Sequence, residues 1–467
     1  MMPAMPARSA IEESVLKRIR PVPAERQRIA EVAAKITGTV NKSGIAEGMI
    51  VGSIARNTWV AGEQDIDIFL LFPPDLPRED LEERGLALAR RVAGEFTDKL
   101  HEKYAEHPYI HAVIDGYEVD LVPCYAVESA AAIKSAVDRT PFHTRYIREK
   151  INSLTDDVLL LKQFARAGGI YGSDQMTEGF SGYLCELLIL HYRGFIPLLE
   201  AASAWRPGFV IDPEHHGKKK FDEPLIVIDP VDPKRNVAAA VSLSRMMGFV
   251  ELARGYLSAP SLAFFDVEEE PGITKEQLAG LLEKRKTYLF SLTFAAPPLI
   301  PEIVVPQLKR SVEAIAEWIE RNGFPVQNAR YELNGERCML LFELLVHDLP
   351  AIRTHLGPPV WNRENAEKFF EKYGSGANGG MPYITNGKYA VEVPREYADA
   401  RTLFSPSAIL NTSLGKHVRQ SLEQGFDVAE GADCWQEEFA PFIAGFLKRA
   451  SPLVKTRRKR NGGKKST

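Results

Sequence analysis

Residues 51–73 read VGSIARNTWVAGEQDIDIFLLFP, and the fold assignment starts there. The stretch opens on a Gly-Ser pair, crosses a polar turn and ends in a predicted strand carrying Asp65 and Asp67. Residues i and i+2 of a strand share a face, so the two carboxylates stand side by side while Ile66 and Ile68 turn into whatever packs behind. Two unpaired carboxylates this close repel, and burying them is costly. A divalent cation resolves the conflict, and hard oxygen ligands of this kind suit Mg2+.

A D-x-D pair by itself more often marks a solvated strand end than a site. Ser53, twelve residues before Asp65 (65 − 53 = 12), changes that weighing. The small Gly52-Ser53 pair lets the backbone approach a phosphate, whose oxygens can accept from the Ser53 N–H and hydroxyl. The Arg56 guanidinium can clamp the same oxygens bidentately. Downstream, Asp115-Gly116 signals a hairpin between strands 109–114 and 117–125. The second strand sets Glu118, Asp120 and Val122 on one face, so Asp120 offers a third metal-binding carboxylate. Glu118 is either a fourth acid or a solvated one and is left outside that set. Such a set describes nucleotidyl transfer with two metals, one lowering the pKa of an attacking hydroxyl and one holding the triphosphate.

At 467 residues the chain is too long for one core. Residues 1–145 read as an α/β head, with helices over 9–20, 24–38 and 79–103. Residues 146–266 turn helical. Thr155-Asp156-Asp157 starts a helix that sets Lys162 and Arg166 on one face and ends at Gly168-Gly169, before Tyr171. A strongly apolar helix follows over 180–201, on which Tyr183 and Glu186 read as structural. Asp232-Pro233 reads as N-cap and first-turn proline of a helix to about 257, which places Arg235 where free N–H groups favour an anion. Residues 267–454 alternate as α+β with mainly antiparallel strands, including a helix over 411–424, and the basic tail 455–467 reads as disordered.

Lys and Arg total 58 against 62 Asp and Glu, a net charge of −4, so any nucleic-acid binding must come from local patches. Candidates are Arg145 and Arg148, residues 215–220 (HHGKKK), Lys309-Arg310 and the C-terminal tail. The four cysteines form no CxxC pair, which argues against a zinc site and fits a reducing cytoplasm. The start lacks the apolar core of a signal peptide, and no run approaches the roughly 20 apolar residues of a membrane helix.

The pattern G-S-x11-D-x-D with a later strand Asp resembles the polymerase-β nucleotidyltransferase superfamily. The fuller string 52–73 resembles the archaeal (class I) CCA-adding enzymes, tRNA nucleotidyltransferases. So do YEVDLVPCY (117–125), RTPFHTRYI (139–147), LLLKQFARAGGIYGSD (159–174), GFSGYLCELLI (179–189) and DPVDPKRNVAAAVS (229–242). The likeness is specific over roughly the first 260 residues and looser beyond. It implies an α+β multidomain chain with a polymerase-β-like head of mixed sheet and helices, a helical neck, and an antiparallel α+β body and tail. It implies Asp65, Asp67 and Asp120 as catalytic carboxylates holding Mg2+, and Ser53 and Arg56 on the triphosphate. His143, Lys162 and Tyr171 match further nucleotide contacts, and Arg235 matches an arginine presenting a base-selective edge.

Each of these also has a plainer reading: His143 as a surface histidine, Lys162 as part of a solvated basic face, Tyr171 as a loop anchor, Arg235 as a partner for a nearby acid. The function implied is template-independent addition and repair of the tRNA 3′ CCA from CTP and ATP. The partner implied is tRNA held by its acceptor stem and T-arm, with no membrane; a homodimer stays open. The rival readings are a poly(A) polymerase-like adenylyltransferase and a non-catalytic RNA-binding pseudoenzyme.

Overall fold

A computed structural model describes residues 8–63, 65–104, 108–217, 220–267, 271–376 and 380–462, the last five of these as backbone. The chain divides into two compact units, Met1–Glu268 with Ala450–Thr467, and Glu269–Arg449.

The first unit opens with α1 (Ala10–Ile19), closed at its start by a Ser9–Glu12 capping box, and α2 (Pro23–Lys42), which turns Ile29, Val32, Ala33, Ile36 and Val40 inward. Then come β1 (Glu47–Ile50), the short α3 (Gly52–Arg56), β2 (Asp65–Phe72), α4 (Arg78–Gly94), β3 (Leu100–Tyr104), β4 (Pro108–Ile114) and β5 (Tyr117–Tyr125). The sheet order is β1-β2-β5-β4-β3, with β2–β5 parallel and the other pairs antiparallel. Ile66, Ile68, Leu70, Val119 and Leu121 point into one core with residues of α2 and α4. Helix α4 crosses β5 at Gly85, where a Cβ would lie 2.5 Å from Pro123 Cβ. The helix expected over 79–103 ends early, at Gly94. Thr97 Oγ1 accepts from Lys99 N at 3.0 Å, and residues 100–104 become an edge strand on β4.

Five helices follow: α5 (Thr140–Ile151), α6 (Thr155–Ala167), α7 (Gly182–Tyr192), α8 (Phe195–Ala202) and α9 (Leu243–Ser258). A parallel pair, β6 (Phe209–Ile211) and β7 (Leu225–Val227), lies between α8 and α9 in sequence. Phe164 centres the core, edge-on to Phe195, Phe249 and Tyr256 at 5.5, 6.2 and 5.8 Å between centroids. The expected continuous helix 180–201 is broken, because Arg193 is left-handed and Gly194 has φ 150. Asp157 Oδ1 accepts from Phe195 N at 2.9 Å and starts α8, with Pro197 in its first turn, where a missing N–H costs little.

A second correction concerns Arg235. The helix expected from Asp232 starts instead at Leu243, capped by Ser242, whose side chain accepts from Arg245 N. Residues 229–237 form a turn folded back on β7: buried Asn236 accepts from Val227 N at 2.9 Å and donates to Leu225 O at 3.0 Å. Asp232 accepts from Lys234 N at 3.2 Å and from Arg139 Nε at 2.8 Å, so its carboxylate is spent on the turn rather than on a helix cap.

The second unit holds α10 (Lys275–Arg285), β8 (Tyr288–Ala295), α11 (Pro301–Arg321), β9 (Val326–Asn334), β10 (Arg337–Leu344), β11 (Ile352–Pro359), α12 (Arg363–Tyr373), β12 (Tyr383–Thr385) and β13 (Lys388–Pro394). It closes with α13 (Ala400–Leu403), α14 (Pro406–Leu410), α15 (Lys416–Gln424), β14 (Asp427–Glu430) and α16 (Ala440–Leu447). An antiparallel sheet β14-β8-β10-β9 packs Leu308, Val312 and Ile315 of α11 on one face and Ile443 and Phe446 of α16 on the other. A smaller sheet, β11-β13-β12, rests on Phe369 and Tyr373 of α12. The helix expected over 411–424 begins at Lys416, after two short helices.

The tail is a third correction. Residues expected to be disordered from 455 form α17 (Pro452–Gly462), which packs on α9; residues 463–467 lie outside the described ones. Ser451 Oγ accepts from Val454 N at 3.3 Å with Pro452 next to it, a capped helix start. Cys124, Cys185, Cys338 and Cys434 are all buried and free. Among the described residues no helix is long and apolar enough to cross a membrane.

Candidate active site

Strands β2 and β5 run parallel in a register that sets Asp65 opposite Glu118 and Asp67 opposite Asp120. Side chains alternate along each strand, so four carboxylates meet on one face. Ile66, Ile68, Val119 and Leu121 on the opposite face are buried and fix which way the acids point. The Asp67 carboxyl is pushed up to about 6, by burial first and then by the Asp120 charge. Asp65 is raised as well, by burial and then by Glu118 and Asp120. Acids crowded in this way hold protons that a cation among them would displace.

Helix α3 leans on this cluster. Val51 N donates to Asp67 O at 2.9 Å, and Gly52 follows at φ +69. A Cβ on Gly52 would collide with Asp67 Oδ2, so a glycine is required for Ser53 and Arg56 to turn past the acid. Arg56 is buried, its Nε donating to Glu186 Oε1 at 2.9 Å and its Nη1 to Thr144 Oγ1 at 3.4 Å. Lys162 is almost fully buried, with Nζ donating to Thr58 O at 2.6 Å. Arg166 ion-pairs with Glu63 and stands 4.6 Å over the Tyr171 ring, whose hydroxyl is held protonated by burial.

Ser53, Arg56, the three aspartates, Lys162 and Tyr171 all line one cavity of about 510 Å3. That is an ordinary size for a small-molecule site. His143 and Arg235 are not on its walls. Both reach Asp229 Oδ2 at 2.9 Å, from His143 Nε2 and Arg235 Nη1. Burial would raise the fully buried Asp229, but His143, then Val231 N and Arg235, hold it down at about 2. Tyr183, which does line the cavity, stacks on His143 at 4.1 Å. A larger cavity, about 600 Å3, carries Arg8, Glu12, Asp157 and Tyr256, but these pair with one another or with neighbours and none belongs to the expected site.

An all-oxygen set of Asp65, Asp67 and Asp120, with two raised carboxyls, fits a hard divalent cation. Among the described residues the one grouping with donor atoms within 4.8 Å of one another is elsewhere, at His347, Asp348 and Asp399. There His347 Nδ1 already pairs with Asp348 at 2.9 Å, while Nε2 lies 3.3 Å from Glu430 without a hydrogen bond.

Three family models match the chain in order. They are a nucleotidyltransferase domain over residues 34–143, the second domain of tRNA nucleotidyltransferase over 156–266 and the C-terminal domain of the CCA-adding enzyme over 285–431. A CCA-adding enzyme of Methanoregula boonei is 62% identical over 459 residues, 98% of this chain and all of that protein. The chain belongs to the CCA-adding enzyme family. CCA-adding enzymes of Methanosarcina mazei and Haloarcula marismortui are 42% and 39% identical over 90% and 91% of this chain, and 93% and 94% of their own lengths. Membership makes the chain a nucleotidyltransferase, of a fold that generally works with divalent metals.

In this CCA-adding family member, several side chains at or beside the site were not foreseen. His111 Nδ1 lies 2.6 Å from Asp120 Oδ1, across the β4–β5 ladder. The hairpin around Asp115-Gly116 pairs Ile114 with Tyr117 and so, three steps on, His111 with Asp120, a register available from the turn alone. Tyr183 and Glu186 gave no such signal, since their partners Asp229 and Arg56 are 46 and 130 residues away.

Proposed function

We propose that this chain builds and repairs the 3′-terminal CCA of tRNA from CTP and ATP, without a template, releasing pyrophosphate at each step. The register that sets Asp65, Asp67 and Asp120 on one face, over a cavity whose other walls supply Ser53, Arg56 and Lys162, carries the reading. Asp65, Asp67 and Asp120 would hold Mg2+, which when bound lowers the pKa of the attacking hydroxyl and offsets charge on the leaving pyrophosphate. The tRNA 3′-oxygen bonds to the α-phosphorus, and the bond from that phosphorus to the oxygen bridging the β-phosphate breaks.

Ser53 and Arg56 grip the triphosphate, and Lys162 neutralises it as a point charge. Tyr171 walls the cavity, while His143 and Arg235, joined through Asp229, extend the nucleotide contacts and the choice of base. The head (1–145) carries the chemistry, the neck (146–266) the nucleotide and the body (267–454) the RNA. Arg145, Arg148, Lys309, Arg310 and basic residues of α17 orient the acceptor stem and T-arm by shape, without reading sequence. Of the 215–220 patch, His215, His216 and Lys220 join them; Lys218 and Lys219 lie outside the described residues.

The test is incubation with Mg2+, labelled CTP and ATP, and tRNA lacking its CCA. Two cytidines and then one adenosine should appear. Long tracts from ATP alone would indicate the adenylyltransferase, and no incorporation the pseudoenzyme. Asp67→Ala should lower the rate on the order of a thousandfold or more; full activity would remove the metal assignment.

A further inference from the structure

Glu186 lies fully buried on α7 among Leu184, Cys185, Leu187 and Leu188. Its Oε1 accepts from Arg56 Nε at 2.9 Å and from the Thr58 hydroxyl. Its Oε2 is buried with no hydrogen-bond partner among the described residues. A buried carboxylate with unused acceptor capacity is expensive, and an apolar side chain would suit this helix better.

Its partners show what the charge does. Thr58 is held at its hydroxyl by Glu186 and at its carbonyl by Lys162 Nζ, 2.6 Å away. Arg56 is fixed at Nε by Glu186 and at Nη1 by Thr144. Two cations of the acid-lined cavity thus meet one network: Arg56 bonds Glu186 directly, and Lys162 bonds the carbonyl of Thr58, whose hydroxyl Glu186 accepts from. Burial works against the Lys162 ammonium, and the Glu186 charge works for it.

We propose that Glu186 is the positioning residue of the cavity's phosphate-binding half, fixing Arg56 and Thr58 so that Arg56 and Lys162 present their charges to the β- and γ-phosphates of a nucleoside triphosphate. The inference rests on reading the cavity as a nucleotide site. It places Glu186 in the grip on the triphosphate and outside the choice of base, so CTP and ATP depend on it alike.

Calorimetric binding of ATP, CTP and AMP to the intact protein with Mg2+ tests it. Glu186→Gln keeps the side chain's shape and removes its charge. ATP and CTP should weaken by about tenfold or more and by similar factors, and AMP by less than about twofold. Combined with Arg56→Ala, it should weaken ATP by less than the two single losses together, because part of its effect runs through Arg56. Unchanged ATP binding, equal weakening of AMP and ATP, or additive losses in the double variant would each overturn the proposal. Should Glu186→Gln not fold, Thr58→Val removes the hydroxyl anchor of the same network and must show the same loss of preference for ATP over AMP. Failure of CCA addition by the unaltered protein would overturn the reaction proposed above, while these binding ratios judge Glu186 separately.

Discussion

Asp67 is the residue at which the fold and the proposed metal site meet. Its carboxyl is raised from 3.8 to about 6, so the folded chain binds that proton more tightly than the unfolded one. Without metal, stability then falls as pH climbs from about 4 to 6, and at pH 7 the loss is on the order of 3 kcal/mol. A bound cation removes the repulsion. The rise in melting temperature on replacing EDTA with Mg2+ should therefore be larger at pH 7 than at pH 5, and calorimetry at the two pH values would show it; equal increments would disconnect Asp67 from the metal. The neighbouring Gly52 is constrained twice, by φ +69 and by contact with Asp67 Oδ2. Gly52→Ala should cost about 1–2 kcal/mol in backbone strain and lower single-turnover incorporation by about a hundredfold or more, with tRNA affinity kept.

At the scale of elements, the turn 229–237 does what a helix was expected to do. It holds Arg235, but by the Asp229 carboxylate instead of a helix terminus. Asp229 is held at about 2, so its contribution is present above pH 4 and lost as pH falls toward 2. Asp229→Asn should destabilise the protein by about 3 kcal/mol at pH 7 and by far less near pH 2, a difference that thermal melts across that range would resolve.

The same region shows what a sequence can reveal. Strand β2 was legible because Asp65-Ile66-Asp67-Ile68 alternates before a short apolar run that Pro73 closes, and the β4–β5 hairpin because Asp-Gly allows few turns. The start of α9 was not, because Asp232-Pro233 reads equally as a helix start and as a turn. Contacts distant in sequence decide between them: Arg139 takes Asp232, and Asn236 docks on β7. The partner of Glu186 was hidden for the same reason, since an apolar helix gives no hint of an arginine 130 residues earlier.

At the scale of the whole chain, the C-terminus returns to the unit that holds the acids, so the first unit is not continuous in sequence. Helix α17 lies on α9 at two small residues. Pro452 Cγ comes within 3.5 Å of where a Cβ on Gly248 would be, and Leu453 occupies the space a Cβ on Gly255 would need. Ser451 adds a hydrogen bond to Glu251 at 2.8 Å. A tail that was merely basic would need none of this, so α17 has a packing role distinct from its charge. The two roles can be separated. Deleting residues 451–467 should remove about 2 kcal/mol of packing and lower the melting temperature by roughly 4 °C. Replacing the exposed Arg457 by Gln should instead spare the melting temperature and weaken tRNA binding. The salt dependence of that binding should flatten by roughly one unit of slope for each phosphate left without its cation. A salt slope equal to that of the unaltered protein would show that this helix serves the fold and not the RNA.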